Sequence, residues 1–154
     1  MSDLPLQFRL ADANPATDVL FAVSAHFHTQ DERDRAFTVT YYDSFDWRLY
    51  LGGGVLRKEV EGRERRLVWA SVEDTPRETA RFSGEMPRFA GDFPAGLMRD
   101  GLNPLLEMRA LLPQVELRTR VRLLRILDSE EKTVLRLAVE EHECRWPGRG
   151  AFVA

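Results

Sequence analysis

The chain has one cysteine, Cys144, so no intrachain disulfide can form and a reducing compartment is expected. It has no apolar run near the roughly 18 residues of a membrane span, and its first residues, MSDLPLQFRLADANP, hold no apolar signal core. These absences predict a soluble, cytoplasmic protein without a membrane partner. There is no positive charge excess either. The net charge is −3, which argues against a general nucleic-acid binder. Lysine is scarce, with only Lys58 and Lys132 among 22 basic residues. The rest are arginine, the side chain suited to bidentate contact with phosphate or carboxylate. No segment repeats and none is of low complexity. What remains is an ordinary globular composition, 44% hydrophobic and 31% charged, in a length that predicts one domain over 1–154.

Apolar and polar residues alternate over Leu4–Leu10, which predicts a half-buried strand. Asn14-Pro15 has the form of a helix start, followed at helical spacing by Val19, Leu20, Val23 and Phe27. The polar run Thr29–Arg35 predicts a loop. Residues 36–42 (AFTVTYY) predict a strand. A turn and short helix follow over Asp43–Leu51, with Trp47 and Tyr50 as packing residues. Gly52-Gly53-Gly54 then turns the chain into the next strand. Residues 55–61 and 65–72 predict a hairpin about Gly62-Arg63-Glu64. A strand is expected over 76–83, loop over Glu85–Gly101 with at most one short helix, and a bulged strand over Pro104–Leu112. Two long strands, Val115–Leu127 and Lys132–Cys144, flank an Asp128–Glu131 turn. The tail RWPGRGAFVA has the form of an approach to a further strand.

About seven strands with few helices predict an α+β chain dominated by an antiparallel β-barrel, incomplete at its C-terminal end. Several strands alternate arginine with apolar residues. Two arrangements fit: an apolar core under a solvated basic surface, or a wet cationic lumen whose apolar outer face is covered by helices.

Other chemistry is poorly supported. His26 and His28 are two residues apart at a helix end, where such side chains diverge. Cys144 has no second cysteine. Ser24, Ser44 and Ser71 lack a nucleophile-elbow context. The glycine triplet is not followed by GK[ST] and is no phosphate loop. PRFAGDFP (87–94) is either a surface loop or a lid, and the surface loop is the simpler reading.

The pattern Tyr42-Asp43-Ser44, Asp46, Leu49, Gly53, Leu56-Arg57 resembles the second-to-third strand signature of CYTH domains, the triphosphate tunnel metalloenzymes. Arg118, Arg120 and Glu140 resemble the family's later basic and acidic positions. The likeness covers most of residues 4–144 and is closest to bacterial CYTH modules fused to a CHAD domain. It implies an antiparallel barrel whose basic lumen grips a triphosphate, with Mg²⁺ or Mn²⁺ on acidic side chains in active members. The departures are specific. Pro5, Gln7 and Arg9 stand at the family's ExExK, Glu59 replaces the second arginine of LRxR, and Ala70 replaces a strand-ending lysine. The resemblance therefore implies binding of a triphosphate or polyphosphate anion by Arg9, Arg57, Arg66, Arg118 and Arg120, with catalysis lost. Two alternatives follow from the same residues. One is a divalent-metal-dependent triphosphatase in which Glu59 and Glu140 rebuild the metal site. The other is an accessory or scaffold domain, with the chain as the N-terminal part of a longer protein. An incomplete barrel would also leave an edge strand able to pair with a second copy.

Overall fold

The structure is a computed structural model that describes Leu6, residues 8–10, 16–146 and 149–153. In chain order its elements are α1 (Ala16–His26), β1 (Thr29–Asp31), β2 (Arg35–Asp43), α2 (Arg48–Leu51), β3 (Gly54–Glu61), β4 (Glu64–Ser71) and β5 (Pro76–Arg81). A single 3-10 turn (Ala90–Asp92) comes next, followed by α3 (Leu97–Leu106), β6 (Leu112–Leu127), β7 (Thr133–Trp146) and β8 (Arg149–Val153). The strands pair in the order β5-β4-β3-β2-β6-β7-β8, with β1 joined to β6. The β1–β6, β2–β3, β3–β4, β4–β5 and β7–β8 pairings are antiparallel. This is an α+β fold with an antiparallel sheet and few helices. No helix among the described residues is long and apolar enough to cross a membrane.

The chain forms two compact units: Met1–Arg35 with Arg120–Glu141, and Ala36–Thr119 with His142–Ala154. In the first, Ala16, Val121, Leu124, Ile126 and Val139 are buried. Thr29–Asp31 pairs with Leu124–Ile126. The expected loop at Thr29–Arg35 is thus partly strand, because a distant partner supplies hydrogen bonds that local polarity does not reveal. Glu32 meets Arg125 at 3.2 Å and Arg136 at 3.7 Å, and Arg122 meets Glu141 at 3.7 Å. The first expected strand is not found where it can be checked. Leu6, Phe8, Arg9 and Leu10 have no regular secondary structure and are exposed. Alternation alone does not make a strand without a partner. The Asn14-Pro15 helix start lies outside the described residues. In α1, Val19, Leu20 and Val23 are half-buried and Phe21 is exposed, as is Phe27 just past its end.

The second unit holds the larger core. The register aligns Tyr42, Leu56 and Trp69 across β2, β3 and β4, and Leu67 faces Lys58 and Ala80. Alternate residues share one face of a sheet. Leu49 of α2, Ala90 and Phe93 of the 3-10 segment, and Met98, Leu102 and Leu106 of α3 pack on this face. PRFAGDFP is therefore neither lid nor plain surface loop, since two of its residues enter the core.

The expected strand over Pro104–Leu112 is not formed: α3 runs through Pro104 to Leu106, a turn and irregular chain follow, and the strand β6 begins only at Leu112. Proline removes one helical hydrogen bond and crowds the carbonyl four residues back. Burial of Met98, Leu102 and Leu106, spaced four apart, outweighs that cost.

The glycine triplet serves close packing as well as turning. Gly53 has φ 74, in the left-handed region that glycine enters freely. A Cβ on Gly54 would lie 2.0 Å from the Trp69 ring, and one on Gly101 would lie 2.7 Å from Trp69 Nε1. Trp47 and Tyr50 are not packing residues. They stand 43% and 60% exposed, because the short α2 turns only Leu49 fully inward.

Candidate anion-binding face

Within the second unit, α2, α3 and the 3-10 segment cover the Leu56–Trp69 face of β2–β4. The alternate residues form the opposite face. One row runs Tyr41, Arg57, Val68 and Thr79, and the next runs Val39, Glu59, Arg66 and Arg81. The face opposite the helices carries Arg57, Arg66 and Arg81, together with buried Val39 and Val68.

Arg57 is held from two sides. Its Nε donates to Glu59 Oε1 at 2.8 Å, and its Nη1 pairs with Asp74. The other Glu59 oxygen meets Arg66 Nη2 at 3.1 Å. The chain of contacts is Asp74, Arg57, Glu59, Arg66. The Arg57 side chain is 14% exposed, whereas that of Arg66 is 47% exposed. Arg57 thus serves as the fixed base of the network and Arg66 as its open end. Beside Arg57, burial raises the Tyr41 phenol above its ordinary pKa while the guanidinium pulls it back. Tyr41 is neutral at pH 7 and keeps a hydroxyl to donate.

Arg57, Glu59 and Arg66, singled out in the sequence, come together here. Tyr41 and Asp74 were not singled out. Tyr41 becomes the cross-strand neighbour of Arg57 through the β2–β3 pairing across α2, which no tight-turn signal marks. Asp74 had no local signal: it reaches Arg57 from the β4–β5 turn with φ 63. Arg118 is exposed on β6 and pairs with Glu116 at 3.1 Å. Arg120 is exposed and belongs to the other unit, as do the exposed Arg9 and Glu140. Glu59 is engaged by two guanidiniums, and among the described residues no group of three or more His, Cys, Asp or Glu side chains is placed to hold a metal ion.

The acidic part of the signature builds the turn. Buried Asp43 accepts the Ser44, Leu49 and Tyr50 N–H groups at 2.7, 2.9 and 3.0 Å. Ser44 Oγ accepts the Arg48 N–H at 3.0 Å, and Gln114 donates to the Asp43 and Ser44 carbonyls. Asp46 Oδ2 meets Arg48 at 3.2 Å and Arg109 at 3.3 Å. In this setting Asp43 and Asp46 are structural acids.

The Ser44 hydroxyl, with the Arg48 guanidinium, holds the Asp46 carboxyl below the usual carboxylate range. An unfolded aspartate titrates near about 3.9. The contribution of Asp46 to stability is therefore fully present above that pH and is lost as pH falls through the lower folded value. The stability gap between wild type and Asp46→Asn should shrink on acidification through this window. Urea midpoints of both proteins across the range check this, and a gap that does not change with pH contradicts it.

Compared with known proteins, the chain matches no family model, no curated protein and no solved structure.

Proposed function

We propose that this protein binds a phosphate-chain anion, a triphosphate or short polyphosphate, through the arginine-bearing face of its sheet, in the manner of a CYTH-like barrel that has lost catalysis. The observation that carries this reading is the division of the sheet in the second unit. Helices cover the apolar face, and Arg57 and Arg66 stand on the other, linked through Glu59. A guanidinium fork matches two oxygens of one phosphate, and charge-assisted contacts of this kind are the strong ones. Arg57 is already oriented by Glu59 and Asp74, so little rotamer freedom remains to be lost on binding. Glu59 and Asp74 also balance Arg57 while the face is empty.

Titration calorimetry with tripolyphosphate at low salt, with and without magnesium, tests the reading. Saturable binding is expected in both conditions. Arg57→Lys keeps the charge but loses the fork, and should weaken binding by about tenfold or more with an unchanged melting temperature. Absence of heat at millimolar ligand and low salt would sink the proposal. Phosphate release that requires Mg²⁺ or Mn²⁺ would replace it with an enzymatic one.

A further inference from the structure

A second cluster of arginines lies at the β3–β4 hairpin and shares only Arg66 with the Arg57 network. The turn is tight, with Gly62 at φ 59. Immediately after it the sequence reads Arg63-Glu64-Arg65-Arg66, and β5 ends at Arg81. The register sets Arg66 directly opposite Arg81. Like charges directly opposed across two strands are destabilising unless something neutralises them. Glu59 reaches Arg66, but among the described residues Arg63, Arg65 and Arg81 have no carboxylate partner.

These four arginines line one cleft of about 310 Å³, together with Glu64, Phe82 and Ser83. The lining thus holds four arginines and one glutamate, and Arg66 is also paired with Glu59. The cleft is built on fixed backbone. The Phe82 N–H donates to the Arg65 carbonyl at 3.0 Å, which ties the end of β5 to β4, and Phe82 packs against the core. The volume falls at the lower end of the range for small-ligand pockets, about 300–1,000 Å³. That size suits a compact anion better than a long polymer.

We infer that the β3–β4 hairpin cleft is a second anion site, which takes a small phosphate-chain anion such as pyrophosphate on Arg63, Arg65, Arg66 and Arg81. Arg66 and Arg81 stand opposed across the strands, and an anion with several oxygens offsets that repulsion while accepting guanidinium forks. Pyrophosphate offers more oxygens and more charge than sulfate, so the site discriminates between them. The inference goes beyond the sheet-face reading, because Arg63, Arg65 and Arg81 take no part in the contacts of Arg57.

The test uses ¹⁵N-labelled full-length chain, titrated with sodium pyrophosphate or sodium sulfate at matched ionic strength. The amide signals of Gly62, Arg63, Glu64, Phe82 and Ser83 and the arginine Nε–Hε signals are followed. Saturable shifts at the hairpin are expected, with pyrophosphate binding at least about tenfold tighter than sulfate. They should vanish in Arg65→Ser/Arg81→Ser and persist in Arg57→Lys. Both replaced side chains are exposed, so the fold should survive, and single Arg81→Ser serves if the pair does not fold. Three results overturn the inference: no saturable shift at millimolar pyrophosphate, equal affinity for sulfate, or shifts that survive the double variant. Binding abolished by Arg57→Lys with the hairpin signals unmoved would leave the sheet-face reading standing and remove this one.

Discussion

Trp69→Ala is expected to lower the unfolding free energy by about 3–5 kcal/mol, the range for truncating a fully buried large aromatic. Trp69 is 2% exposed and lies in the core face between Leu56 and Glu78 across the strands. The backbone closes on its ring at Gly54 and Gly101, and the Arg77 guanidinium stands 5.2 Å from the ring centroid. Small residues on both sides cannot collapse far into the space the indole leaves, so most of the cavity persists. The reciprocal change is as informative. Gly54→Ala puts a methyl where the indole sits, 2.0 Å from a ring carbon, and either the ring or β3 must move. Overpacking of this kind costs about 1–3 kcal/mol or more. Urea unfolding of the three proteins measures both losses. A loss below about 1 kcal/mol for Trp69→Ala would mean that the core closes without it.

Asp43→Ala is expected to cost about 2–4 kcal/mol, because it removes a buried acceptor from three N–H groups at once. Two of them, on Leu49 and Tyr50, are first-turn donors of a four-residue helix that has no side-chain cap of its own. So short a helix has almost no intrinsic stability. Its position depends on Asp43, and that position sets Leu49, which is fully buried in the core. Asp43→Asn keeps one acceptor oxygen and should recover part of the loss. Denaturation midpoints measure the cost. Hydrogen exchange at the Leu49 and Tyr50 amides localises it, with faster exchange expected there than in β3. A change of less than about 0.5 kcal/mol on Asp43→Ala would contradict this role.

The hairpin was legible because its signals are local. Gly62 supplies the positive φ, and the flanking β-branched and aromatic residues supply the strands, now β3 and β4. The same holds for the Asp128–Glu131 turn, where Asp128 Oδ1 accepts the Glu130 and Lys132 N–H groups at 2.8 and 2.9 Å. The tail, expected to approach a strand, forms β8 against β7. The misplaced elements are those whose stability comes from elsewhere in the chain. β1 is a polar tripeptide made into a strand by β6. α3 passes through Pro104 because its other face is buried. For the candidate site, the resemblance drew attention to Arg57, Glu59 and Arg66, and the β3–β4 register set them side by side, but Asp74 entered from a turn that no period describes.

From its own order, the chain determined that it has no intrachain disulfide, that strands dominate, where two tight turns fall, and that arginines alternate with apolar residues on paired strands. These depend on covalent chemistry, φ preference and side-chain alternation, which act over a few residues. Tertiary structure alone decided that helices cover the Leu56–Trp69 face, that Gly54 and Gly101 yield to one indole, that Asp43 caps α2, and which carboxylates meet which arginines. The helix cover, the glycine–indole contacts and the Arg57–Asp74 pair join groups far apart in sequence, and even the near pairs, Asp43 with Leu49 and Arg57 with Glu59, depend on which side chains packing brings together.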